Sequence, residues 1–184
     1  MTRADLAALL AAADVTDVDI DAAMADEHVR SSAYRQVVSA VAEGPRGDLD
    51  EIVVRVFLRD PVNVVAKSAV VAFIDAVAPT FSDSAGFERW AAALAPEFEH
   101  LATPTEREFV RHRIHDWTTY LAIASGEIPA AADLATTSNW MQSLLASEST
   151  SLPVLAALAE SGSTKKIRNA AQNRAGSRQL RDGR

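Results

Sequence analysis

The chain has 184 residues, a formal charge of −7, 48% hydrophobic and 6% aromatic residues, and no cysteine. Without a thiol there is no disulfide framework, no Cys-ligated zinc, no iron–sulfur cluster and no cysteine nucleophile. The hydrophobic content is too high for a disordered chain, and the length suits one domain with a sizeable core.

The first apolar run is Leu6 to Ala13, flanked by Asp5 and Asp14. It is too short to span a bilayer, and with Thr2 ahead of it the expected structure is an N-capped helix over 4–13, not a leader. No other segment approaches ~20 apolar residues. The expectation is a cytoplasmic protein that does not engage a membrane. A bias to alanine (36 residues) and to Arg over Lys (15 to 3) suggests a GC-rich bacterial genome.

Glycine and proline then punctuate the chain at Gly44–Gly47, Pro61, Pro79, Gly86, Pro96, Pro104, Gly126, Pro129, Pro153, Gly162 and Gly176. The intervals suit helices better than strands. Helices are expected at 18–25, 28–42, 48–58, 62–78, 84–95, 105–124, 139–147, 152–161 and 164–175. Asp48 with Glu51, and Thr105 with Glu108, have capping-box spacing. Ser151 puts Pro153 in a first turn, where its missing N–H does little harm. Ile52–Leu58 and Val62–Val71 are rich in β-branched residues and, alone, read as strands.

An internal repeat decides for helix. Residues 29–42 and 65–78 align at an offset of 36, with six of fourteen positions identical. Their apolar positions run i, i+4, i+8, i+11, i+12, a helical stripe. An acidic turn precedes each, at Asp26-Glu27 and Asp60-Pro61. Fainter echoes stand at Val110-Arg111 and Ile167-Arg168. A period of this length with helix–turn–helix content is the mark of stacked helical repeats. Ala33, Ala40, Ala69, Ala76, Ala170 and Ala171 are the expected points of close backbone approach. Val37, Phe73, Trp117 and Leu155 are the expected space-fillers.

Leu58-Arg59-Asp60-Pro61, followed by Val65 and Ala69, resembles a HEAT-type repeat. The segment Trp140 to Asn173 is similar to both HEAT repeats and the leucine-rich repeat variant, through Trp140, Leu144, Pro153, Leu155, Leu158-Ala159, Ile167-Arg168 and Ala170-Ala171. The resemblance covers about two thirds of the chain. It implies an all-α fold, a short right-handed α-solenoid of about nine or ten helices. One domain over 1–175 is expected, with a basic tail at 176–184. The variant family's iron–sulfur cluster is ruled out by the absence of cysteine, and no cofactor is expected.

Three features bear on function. The first is the run Glu106 to Trp117. Glu108, His112 and Asp116 follow at i, i+4, i+8, with His115 beside them, a spacing able to present two imidazoles and a carboxylate to one metal ion. On a helical wheel Glu108, His112 and His115 oppose Phe109, Val110, Ile114, Trp117 and Leu121, which describes a solvated face crossed by Glu–His and His–Asp pairs. No metal is assigned, and His112, His115 and Asp116 are the candidate ligands. The second feature is aromatic: Trp90, Trp117, Trp140, Tyr34 and Tyr120 pack between helices or line a groove. Asp116-Trp117 beside Arg111 and Arg113 is reminiscent of HEAT-like DNA glycosylases for alkylated bases. The third is electrostatic. Residues 164–184 carry Lys165, Lys166, Arg168, Arg174, Arg178, Arg181 and Arg184 against Asp182, while residues 1–163 are strongly acidic. Lys165 and Lys166 open a helix, where cations oppose the macrodipole. Arg168 is expected in a salt bridge to a preceding repeat.

No P-loop, nucleophile elbow or dinucleotide fingerprint is present. Two functions stay open. One is a non-catalytic module binding another protein or a second copy of itself. The other is a nucleic-acid-binding or repair protein using Lys165, Lys166, Arg168, Arg174, Arg178, Arg181, Trp117 and Arg113, against which the acidic body would repel phosphate.

Overall fold

The computed structural model describes residues 1–177. Among these, all regular structure is helical. In chain order the helices are α1 Arg3–Ala12, α2 Ile20–Ala25, α3 Glu27–Ala42, α4 Asp48–Leu58, α5 Asn63–Val77, α6 Ser84–Phe98, α7 Pro104–Ala124, α8 Ala131–Thr136, α9 Asn139–Glu148, α10 Leu152–Ser161 and α11 Lys165–Ala175. The valine-rich runs are α4 and α5. Helix α8 is unexpected, because its six residues bury only Leu134 and show no periodicity. Helix α6 runs through Pro96, past its expected end at residue 95. Leu94 and Phe98 on its last turns are buried, and their packing offsets the hydrogen bond that proline removes.

The caps are partly where spacing put them. Thr2 and Asp5 form a full capping box on α1 (Thr2 N to Asp5 Oδ2 2.7 Å, Asp5 N to Thr2 Oγ1 3.1 Å). On α7 the box is Thr103 with Glu106, two residues ahead of the expected pair. Pro104 is pre-set for the first helical position, so the helix starts before Thr105. Asp48 is already inside α4. Gly47 precedes it, and the Asp50 carboxylate accepts from the Gly47 N–H at 3.4 Å.

The chain divides into two compact units, Met1–Thr80 with Arg89–Arg111, and Phe81–Glu88 with the described residues from His112 on. In the first unit α3 packs on α5. Their buried positions coincide at the offset of 36: Arg30 with Ala66, Ala33 with Ala69, Tyr34 with Val70, Val37 with Phe73, Val38 with Ile74, Val41 with Val77. Ala33 and Ala69 are thus both buried, whereas Ala40 is exposed. Tyr34 meets Phe57 at 4.6 Å between ring centroids, and Phe73 meets Trp90 at 5.9 Å.

Two acids lie inside this unit. Asp60 accepts from Arg30 Nε (2.6 Å) and Nη2 (3.2 Å), Tyr34 Oη (2.9 Å) and the Val62 N–H (2.8 Å). Four donors fill the roughly four acceptor sites of a carboxylate. Asp50 accepts from the Trp90 indole at 2.9 Å and faces Arg46 Nη1 at 3.4 Å.

The second unit packs α9, α10 and α11 around Met141, Leu145, Val154, Leu155, Leu158 and Ile167, all buried. Gly162 joins α10 to α11 where a Cβ would lie 2.5 Å from the Leu158 carbonyl oxygen and 2.8 Å from Ile167 Cγ2. Buried Gln142 donates to Leu134 O and Thr137 O and accepts from Ser163 N, tying α8, α9 and the α10–α11 turn.

One device recurs. The fourth residue of α3, α7 and α11 is arginine, and each donates Nη1 to a carbonyl near the end of the preceding helix: Arg30 to Ala23 (2.9 Å), Arg107 to Leu101 (2.6 Å), Arg168 to Gly162 (2.6 Å). Each guanidinium serves a carbonyl that the preceding helix leaves without an intrahelical partner or with a spare lone pair. The expected salt bridge of Arg168 is replaced by this carbonyl bond. The echo in α7 is Arg107 and not Arg111, which instead pairs with Glu108 on the surface at 2.6 Å. In α5 the equivalent position is Ala66.

Among the described residues, Asn63–Thr80 is the one helical stretch long and apolar enough to cross a membrane by length and composition, and 44% of it is buried inside the fold.

Candidate interaction surface

Helix α7 carries His112, Arg113, His115, Asp116 and Trp117, five of the residues singled out by sequence. Its face is not uniformly solvated. Asp116 is buried, 1% exposed, and its carboxylate accepts from Ser138 N (2.8 Å) and Ser138 Oγ (2.6 Å). Ser138 in turn caps α9 through Met141 N at 3.1 Å. Asp116 therefore anchors the start of α9. His112 Nε2 lies 3.9 Å from Asp116, and His115 Nε2 is 3.1 Å from Thr136 Oγ1. The Thr136 hydroxyl donates to Asp133 O, so the His115 ring nitrogen is the donor in that pair. The imidazole centroids are 6.1 Å apart. His112 thus faces Asp116 while His115 turns to Thr136, and no group of three or more His, Asp or Glu side chains among the described residues is placed to hold a metal ion.

Trp117 is buried and packs edge-on against Trp140 (5.7 Å) and Tyr120 (5.3 Å). Trp140 is 40% exposed, and the Arg113 guanidinium lies over its ring at 3.8 Å. Burial, with Glu148 adding to it, raises the Tyr120 phenol above its ordinary value. Arg113 and Trp117 therefore belong to one aromatic cluster whose outer member is Trp140. Phe109, expected on the apolar side of α7, is exposed, with Lys67 Nζ 4.9 Å from its ring centre.

The basic end is split. Lys165 and Lys166 are exposed at the first two positions of α11, behind the Thr164 cap. Neither has an ion-pair partner among the described residues. Arg168 holds the α10–α11 turn, and Arg174 Nε donates to Ser149 O at 3.4 Å. Arg178 and Arg181 lie outside the described residues.

A groove of about 250 Å³ lies between α3 and α5. Val38, Val65, Ala69 and Ala72 and the ring of Tyr34 line it, with Ser31, Ser68 and Arg35. The sequence holds those three polar residues in plain view, but nothing in their spacing brings them to one place. Only the packing of α3 on α5 does that.

No family model, curated protein or solved structure matches the chain.

Proposed function

We propose that the chain is a non-catalytic interaction module built on HEAT-like helical repeats, a short right-handed α-solenoid that binds another protein in the cytoplasm. The observation that carries this reading is the arginine at the fourth position of α3, α7 and α11, each reaching back to the end of the helix before it. A helix pair tied by the same device at intervals along the chain is a repeated structural unit. The common burial register of α3 and α5 supports the same conclusion. The buried polar groups Arg30, Asp60, Asp50, Asp116 and Gln142 are all engaged in joining helices, which is scaffold work. What the scaffold offers is surface. Affinity capture from the native host, followed by reconstitution with the purified partner, tests it. A defined complex is the expected result, and a monomer that retains no partner in reconstitution overturns the reading.

A second reading rests on Lys165 and Lys166, two exposed cations at a helix start where they oppose the dipole. It makes the chain a nucleic-acid-binding protein whose phosphate contacts lie on α11. Retention of duplex or single-stranded DNA at low salt, lost at moderate salt, is its expected signature, and no retention at low salt removes it.

A further inference from the structure

The groove between α3 and α5 differs from the other polar surfaces of the first unit. Most arginines elsewhere in that unit are engaged: Arg3 with Asp21, Arg30 with Asp60, Arg46 with Asp50, Arg55 with Glu51 and Glu97, Arg59 with Asp5, Arg107 with Glu99 and Arg111 with Glu108, the exception being Arg89, which is exposed and away from the groove lining. Arg35, at the groove, has no ion-pair or hydrogen-bond partner among the described residues. Ser31 and Ser68 are equally without a hydrogen bond, although helical hydroxyls in this chain commonly bond back to a carbonyl one turn earlier, as Thr119, Ser143, Ser147 and Ser161 do. The groove thus brings together one unpaired cation and two unpaired hydroxyls beside walls of valine and alanine. Along α5, Val64 stands one turn before Ser68 and is 61% exposed, which continues the aliphatic stripe beyond the groove.

At about 250 Å³ the groove is below the usual size of a drug-sized pocket, which suits a single aliphatic side chain. Each wall mixes the two kinds of group, Ser31 and Arg35 with Tyr34 and Val38 on α3, and Ser68 with Val65, Ala69 and Ala72 on α5, which suits an occupant whose anion and aliphatic group belong to one residue. A guanidinium with two hydroxyls is a donor set for a carboxylate. We infer that the groove receives the C-terminal aliphatic residue of a partner chain, its side chain against Val38, Val65, Ala69 and Ala72 and its carboxylate on Arg35, Ser31 and Ser68. This rests on the interaction-module reading and names the chemistry of the partner.

The test uses the full chain and three peptides: acetyl-Gly-Gly-Leu with a free carboxylate, the same peptide amidated, and acetyl-Gly-Gly-Gly with a free carboxylate. Methyl resonances of Val38, Val65, Ala69 and Ala72 report occupancy. The leucine free acid is expected to shift them saturably, with the amide and the glycine peptide each binding about tenfold more weakly or worse. Arg35→Gln should bring the free acid down to the level of the amide. Ala72→Leu, at a half-exposed site that tolerates a larger side chain, should fill the groove and abolish binding. Equal binding of acid and amide, indifference to Arg35→Gln, or no shift at all overturns the proposal. A native partner that Ala72→Leu still binds undiminished overturns the groove but leaves the interaction module standing.

Discussion

The two units place a buried carboxylate at the start of a helix, and they surround it differently. In the first unit Asp60 stands before α5 and is held by a cation, Arg30, together with Tyr34 and a backbone N–H. In the second, Asp116 reaches the start of α9 from the middle of α7 and accepts only from Ser138, with His112 at 3.9 Å. The two acids are similarly buried. The difference is that removing Asp60 strands a buried guanidinium, whereas removing Asp116 leaves only neutral donors. Similar burial therefore predicts dissimilar fragility, and the sharpest way to break the comparison is to delete each acid.

Asp60→Ala should be the most damaging substitution, costing about 3–5 kcal/mol because Arg30 remains inside without its counter-charge. Replacing the pair together, Arg30→Met with Asp60→Leu, should cost less than Asp60→Ala alone, although Arg30 also serves Ala23. Urea unfolding of the two variants measures this. A double variant less stable than the single one would show that the carbonyl bond, not the ion pair, is the dominant tie. Asp116→Ala should cost about 1–3 kcal/mol, the penalty for partly buried donors left without an acceptor. Its effect should appear as faster hydrogen exchange at the Ser138 N–H and in the first turn of α9.

The pair in the first unit also has a pH signature. Burial foremost, then the Asp60 charge, pushes the Tyr34 phenol well above its ordinary value. A folded-state pKa raised above the unfolded one contributes stability that is complete below about pH 10 and is lost as pH rises through and beyond it. Unfolding free energy should therefore fall steeply above that pH in the natural chain and less steeply in Tyr34→Phe. Equal alkaline slopes would place the Tyr34 hydroxyl outside the linkage.

Much of this architecture is legible in the sequence. Helical stripes and Gly/Pro punctuation place ten of the helices found among the described residues, and at the offset of 36 the buried positions of α3 and α5 coincide, although Val29 and Ala40 of the expected stripe are exposed. What is not legible is the identity of the buried charges. Asp60 reads as a turn residue and Arg30 as a polar position in a stripe, and they are thirty residues apart. Asp116 falls on the polar side of the α7 wheel, because a wheel knows one packing face and the start of α9 supplies a second. The groove at Arg35 is illegible for the same reason, since Ser31 and Ser68 meet only through packing.

The smallest expected effect lies at α11, and it separates structure from function. Other helices here open with acids, among them Asp5 in α1, Asp21 in α2 and Glu106 in α7, which suits the positive end of the dipole. Helix α11 opens with Lys165 and Lys166 instead. Lys165→Glu with Lys166→Glu should therefore stabilise the chain by about 0.3–1 kcal/mol per site at low salt, fading as salt screens the charges. If the nucleic-acid reading holds, the same variant loses DNA retention while gaining stability, a combination that a purely structural role for these lysines does not produce. If stability rises and no DNA is bound before or after, the lysines are a local cost without a phosphate partner, and the protein-binding reading stands alone.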